Sequence, residues 1–211
     1  MLANYLTIKA DGVVETEVKK SRFLCGLKRV TSEEGAKEFI LQIKKEHWKA
    51  NHNCSAFVVG EQSEIQRSSD DGEPSGTAGV PMLEVLKKNQ LINVVAVVTR
   101  YFGGTKLGAG GLIRAYAGSV SAALKEIGIV QGRLQQEIFV DIEYPLLGKL
   151  QNFLESQEIY VADTLFTERV QVVCMVDEVE KEIFQEQVVD LLSGQVSFAL
   201  GTSRYVETLV Q

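Results

Sequence analysis

Only 3 prolines and one tryptophan occur among the 211 residues, and the three cysteines, Cys25, Cys54 and Cys174, are scattered without a C-x-x-C pair. An odd number of widely spaced thiols argues against a disulfide framework. Scarce proline and 45% hydrophobic residues exclude a disordered or collagen-like chain. Long apolar runs are missing as well. The strongest, Val94-Val95-Ala96-Val97-Val98, falls far short of the roughly 20 residues that a membrane-spanning helix needs. The start, Met1-Leu2-Ala3-Asn4-Tyr5, has no basic segment followed by an apolar core and a cleavage site. A cytoplasmic protein without membrane contact is expected.

Acidic residues outnumber basic ones, 28 to 22, and a net charge of −6 by itself speaks against a nucleic-acid binder. The charge is unevenly spread, however. Residues 1–130 hold 17 basic and 14 acidic side chains, a balance of +3, whereas residues 131–211 hold 5 and 14, a balance of −9. Two electrostatically different domains are expected, 1–130 and 131–211. They meet near Gly128-Ile129-Val130-Gln131-Gly132-Arg133, where glycines follow a helical pattern.

In the first half, residues 13–18 and 23–30 have strand composition. Thr31-Ser32-Glu33-Glu34 fits a capping box in which Thr31 and Glu34 satisfy free amides at a helix start. Ala36, Phe39, Ile40, Ile43 and His47 then recur at helical spacing. Further strands are expected at 54–59 and 64–67, a short helix at 83–88, and a strand at 94–99 whose β-branched run suits burial on both faces. From Gly110 onward Leu112, Tyr116, Ser119, Val120, Ala123, Leu124 and Ile127 form a helical stripe, and Ala115, Gly118 and Ala122 are small enough for close packing on a sheet.

The second half alternates Ile138, Val140, Ile142 and Tyr144 with Phe139, Asp141 and Glu143, and Pro145 then opens a helix. Strands at 159–166 and 170–176, an acidic helix at 178–192 and a strand from Val196 complete the order β-α-β-β-α-β. That is the split arrangement of ferredoxin-like domains, and the chain as a whole is α+β.

Three segments carry chemistry. In Asp70-Asp71-Gly72-Glu73-Pro74-Ser75-Gly76-Thr77-Ala78-Gly79, the three carboxylates suit a hard cation such as Mg²⁺, and the amides and hydroxyls of Ser75, Gly76 and Thr77 suit an anion. The same residues also make an ordinary solvated turn. In Arg100-Tyr101-Phe102-Gly103-Gly104-Thr105-Lys106-Leu107-Gly108-Ala109-Gly110-Gly111-Leu112-Ile113-Arg114, glycines, a helix start and three cations converge on an anion site. It is neither a P-loop nor a dinucleotide fingerprint, and its glycines equally serve close helix docking. In His47-Trp48-Lys49-Ala50-Asn51-His52-Asn53-Cys54, the spacing suits neither zinc nor a Cys-His nucleophile pair. His52 and Cys54 share one face of a strand, which leaves a surface binding role open.

The run Gly79-x-x-Met82-Leu83-x-x-Leu86-x4-Leu91-x5-Val97-Val98-x-Arg100-Tyr101-Phe102-Gly103-Gly104-x-x-Leu107-Gly108 resembles the signature of the YigZ/IMPACT family. Asp70 to Gly79 and His52-Asn53-Cys54-Ser55-Ala56-Phe57 add to the resemblance, which extends over the whole chain in the bacterial two-domain form. It implies an N-terminal domain like the second domain of a small-subunit ribosomal protein, a fold shared with elongation factor G and with small-molecule kinases. It also implies a ferredoxin-like C-terminal domain. Eukaryotic members of that family are associated with translational control through contacts to a kinase-activating partner; their additional N-terminal interaction domain is absent here, so the resemblance does not imply that activity.

The leading expectation is a non-enzymatic, translation-associated module that contacts RNA, a ribosomal particle or a translation factor. Arg100, Lys106 and Arg114 would meet phosphate beside Gly103, Gly104, Gly108, Gly110 and Gly111; Tyr101 and Phe102 would stack on a base; and the loop holding Asp70, Asp71 and Glu73 would close over the site. No cofactor or metal is required. A rival expectation is an enzyme that binds a phosphorylated small molecule or nucleotide through the glycine loop, with Mg²⁺ on Asp70, Asp71 and Glu73. A third is a protein-interaction adaptor.

Overall fold

The computed structural model describes residues 2–210. Its elements run β1 (Asn4–Ile8), β2 (Gly12–Val18), β3 (Ser21–Arg29), α1 (Glu33–Glu46), β4 (His52–Val59), β5 (Ile65–Ser69), α2 (Gly79–Lys88), β6 (Val94–Tyr101) and α3 (Gly108–Ile127). There follow β7 (Ile129–Ile142), α4 (Leu147–Ser156), β8 (Tyr160–Phe166), β9 (Val170–Asp177), α5 (Lys181–Leu191) and β10 (Ser197–Leu209). The described residues divide into two compact units, Tyr5–Gly132 with 208–210, and Leu2–Asn4 with Arg133–Glu207. Both mix helices and sheet, so the fold is α+β.

In the first unit, β2-β3-β6-β4-β5 form an antiparallel sheet with β6 at its centre. Strand alternation sends Val94, Ala96 and Val98 into a core with Tyr116, Met82 and Leu86, and Val95 and Val97 into another with Phe39, Ile43 and Phe57. Helices α2 and α3 therefore cover one face of β6 and α1 the other, which is why its β-branched run has no polar alternation. The register aligns Phe23, Arg100 and His52 in one row across β3, β6 and β4. This row carries the site.

Several boundaries differ from the sequence expectations. Helix α1 is capped by Ser32 rather than Thr31: Ser32 is extended, and its Oγ accepts from the Gly35 amide at 3.1 Å, so no Thr31–Glu34 box forms. Helix α2 starts at Gly79, four residues before the expected 83, because the distant Asp70 carboxylate accepts from the Ala78 and Gly79 amides. Strand β1 was not anticipated. Its Leu6 carbonyl accepts from the Ile92 amide, a partner 86 positions away. Gly118 is exposed, and a β-carbon added there would meet nothing within 4 Å beyond its own helix, so it does not serve close packing; Ala115, at 5% exposure, does.

The second unit follows the order β7-α4-β8-β9-α5-β10. Its strands lie in the order β10-β7-β9-β8, with β1 also paired to β7. Ile138, Val140, Ile142, Val172, Cys174 and Val176 face the apolar stripes of α4 and α5, namely Leu150, Leu154, Phe184 and Val188. Pro145 sits in a short 3₁₀ turn, Tyr144–Leu146, that leads into α4. Strand β7 begins at Ile129, well before the expected alternation at Ile138, because pairing with β9 holds Gln135, Gln136 and Glu137 extended and the Leu134 amide donates to the Ala3 carbonyl.

Candidate anion site at the start of the third helix

Helix α3 follows a loop in which Gly104 and Gly108 adopt left-handed φ of +86° and +68°. Gly103 is required for a different reason, since a β-carbon there would stand 1.9 Å from the Lys20 carbonyl oxygen. Its amide donates to Ser21 Oγ at 3.2 Å, tying the loop to β3. Leu107 occupies the N-cap of α3, and no side chain caps the first turn, Gly108-Ala109-Gly110-Gly111. Twenty helical residues thus end in free amides at the positive end of the helix dipole.

A cleft of about 300 Å³ opens at this helix start. It is lined by Phe102, Lys106 and Leu107 of the loop, by Gly108, Ala109 and Leu112 of α3, and by Glu73, Pro74 and Arg100. Arg100 is only 6% exposed. Its Nη1 donates to Glu73 Oε1 at 2.6 Å and its Nη2 to Ser21 Oγ at 3.4 Å, while its buried Nε has no hydrogen-bond partner. The guanidinium carbon lies 5.5 Å from the buried Phe23 ring and 5.6 Å from the half-exposed Phe102 ring. Tyr116, whose hydroxyl burial pushes far above the usual tyrosine range, donates to the same Glu73 oxygen at 2.8 Å.

The acidic loop is a scaffold. Partial burial pushes the Asp70 carboxyl up, but donation from the Gly76, Gly79 and Ala78 amides prevails and holds it below the usual value. Asp71 accepts from Lys44 Nζ at 2.6 Å and from the Asn53 amide at 2.7 Å. Thr77 donates to the Pro74 carbonyl, Ser75 is exposed, and Gly72 and Gly76 make left-handed turns. Each carboxylate answers to different donors, which corrects the expectation of a Mg²⁺ cluster. Among the described residues, no group of three or more His, Cys, Asp or Glu could hold a metal ion.

His52 and Cys54 fasten this loop to β4. His52 Nδ1 donates to the Asp71 carbonyl at 2.9 Å, and its Nε2 lies 3.8 Å from Glu73 Oε2. Cys54 is fully buried and donates to the Asp70 carbonyl at 2.9 Å. Burial, opposed by a Tyr116 hydrogen bond and reinforced by nearby carboxylates, pushes its thiol up to about 12. A surface binding role for Cys54 is therefore corrected: it is a neutral, enclosed thiol.

Of the expected ligand contacts, the structure brings Lys106, Gly108, the buried Arg100 and the stacking candidate Phe102 to the cleft. Strand alternation sends Tyr101 to the α1 side, where its hydroxyl bonds His47 Nδ1 at 2.9 Å, so it does not stack beside Phe102. Arg114 is exposed along Gly110 and outside the cleft lining. Phe23, Ser21 and Tyr116 complete the site but carry no local motif. Phe23 and Ser21 reach it through strand register, and Tyr116 through the helical stripe.

Fold and site together define a two-unit α+β protein with an uncapped helix start beside a buried ion pair in its first unit. Residues 19–124 match the Impact N-terminal domain, and residues 140–195 match a domain of unknown function, DUF1949. The chain is 49% identical to IMPACT family member YvyE of Bacillus subtilis over 100% of this chain and 97% of that one. It is 39% identical to IMPACT family member YigZ of Escherichia coli over 72% of this chain and 76% of that one. A crystal structure described as a hypothetical protein matches with a TM-score of 0.60 at 32% identity, covering 94% of this chain and 97% of that chain. The chain belongs to the IMPACT family.

Proposed function

We propose that the protein is a cytoplasmic, non-catalytic regulatory module of translation, whose first domain, about residues 1–130, contacts RNA at the start of α3. Membership of the IMPACT family supports a translation-regulatory role. The observation that carries RNA contact is the cleft itself, where uncapped helix amides, Lys106 and an exposed Phe102 adjoin the buried Arg100. Amides and Lys106 suit phosphate oxygens, and Phe102 offers a ring for a base. Arg114, one turn along on the exposed side, extends the positive surface. The acidic second domain, about 131–211, would be repelled by the RNA backbone and is free for a protein partner such as a ribosomal protein or a translation factor.

Binding of a single-stranded RNA oligonucleotide to wild type and to the Lys106→Ala/Arg114→Ala variant tests this. Both side chains are exposed, so the fold is retained. Weaker binding and a shallower dependence on salt are expected in the variant. Unchanged binding in the variant, or none in the wild type at low salt, would sink the proposal. Sedimentation with ribosomes, with and without nuclease, then separates RNA from protein contacts.

A further inference from the structure

We infer that the cleft at the start of α3 recognises a terminal phosphate monoester attached to a stacked base, rather than the middle of an RNA strand. This rests on the RNA-binding reading of the same cleft and narrows it. The helix start alone would not suffice. The second observation is Arg100, which is 6% exposed, lines the cleft and has an Nε with neither a protein partner nor access to solvent. A buried N–H without an acceptor is costly, and a ligand oxygen entering the cleft relieves it.

The size and lining of the cleft point to an end. About 300 Å³ is at the lower limit of small-ligand pockets. Pro74, Leu107 and Leu112 give it apolar walls that would strip water from an internal phosphate and from the sugars on both sides of it. A monoester enters with one sugar only. It has three terminal oxygens and close to two charges, enough acceptors for Gly108 and Ala109 amides, Lys106 and Arg100 Nε together. Phe102, whose ring flanks the guanidinium and is 46% exposed, is the cover that turns aside to admit the phosphate and then stacks on the base. Glu73 engages Arg100 Nη1 at 2.6 Å, which fixes the guanidinium at the cleft and leaves Nε as its donor without a protein acceptor.

Two sources share this chemistry, the 5′ end of an RNA and a free nucleoside monophosphate. The test measures binding of one RNA sequence with a 5′-phosphate and with a 5′-hydroxyl, alongside AMP and adenosine. We expect the phosphorylated member of each pair to bind about tenfold tighter or more, the worth of one or two charge-assisted hydrogen bonds. Lys106→Met and Phe102→Ala, both at exposed positions, should remove most of that difference. Tighter binding of the phosphorylated RNA than of AMP identifies the strand end as the source; equal binding identifies the mononucleotide. Equal affinity for phosphorylated and hydroxyl RNA overturns the inference and leaves RNA binding standing. Binding of neither RNA nor mononucleotide overturns both.

Discussion

Arg100 and Glu73 form a buried ion pair at 2.6 Å, with side chains 7% and 4% exposed, and Tyr116 donates to the same carboxylate oxygen. One residue comes from the central strand and the other from the acidic loop, 27 positions apart, so the pair clamps that loop to the sheet. The clamp also places a cation under the helix start without leaving it free.

Removing one partner of this pair leaves an unpaired buried charge. Glu73→Ala or Arg100→Ala should each destabilise the first unit by about 3–5 kcal/mol in urea unfolding. The double variant should cost less than the sum, because the second deletion removes the stranded charge. Additive losses, or single losses under about 1 kcal/mol, would show that the pair does not hold the loop.

Asp70 links loop stability to pH. Its folded pKa lies below the ordinary 3.8, so its contribution is fully present above that value and disappears as pH falls through the lower, folded value. Asp70→Asn should destabilise the protein by about 1–2 kcal/mol at neutral pH and flatten the acid limb of the stability curve below about pH 4. An unchanged acid limb in the variant would contradict the triple-amide role.

All three cysteines are buried, and burial raises the thiols of Cys54 and Cys174 to about 12 and that of Cys25 higher still. A thiol-specific reagent at neutral pH should therefore label none of them in the folded protein and all three in denaturant. Rapid labelling of native Cys54 would show that the acidic loop opens away from β4.

The glycines separate by sign. Gly103→Ala forces a β-carbon into the Lys20 carbonyl and should cost several kcal/mol, about 3 or more. Gly104→Ala meets no atom within 4 Å, but its φ of +86° is strained for alanine, at about 1 kcal/mol. Gly118→Ala, in an exposed helical position with nothing within 4 Å, should stabilise by about 0.5–1 kcal/mol. Thermal unfolding of the three variants gives the order directly.

Much of this protein follows from local pattern. The β-branched run of β6, the stripe of α3 and the alternation in β7 and β9 are short-range signals, because burial repeats every 2 or 3.6 residues. The glycine loop and the charge difference between the halves are equally plain in the sequence. What only the tertiary structure decided is which side chains remain available to a ligand. Asp70, Asp71 and Glu73 look like a cation site in a row, but packing gives them to helix amides, to Lys44 and to Arg100. Arg100 and Tyr101 are neighbours in sequence, yet strand alternation sends them to opposite faces, one to the cleft and one to His47. Cys54 looks accessible until a loop 16 positions away covers it. Sequence fixes the chemistry of each residue, and long-range pairing, which no local period encodes, fixes its partner.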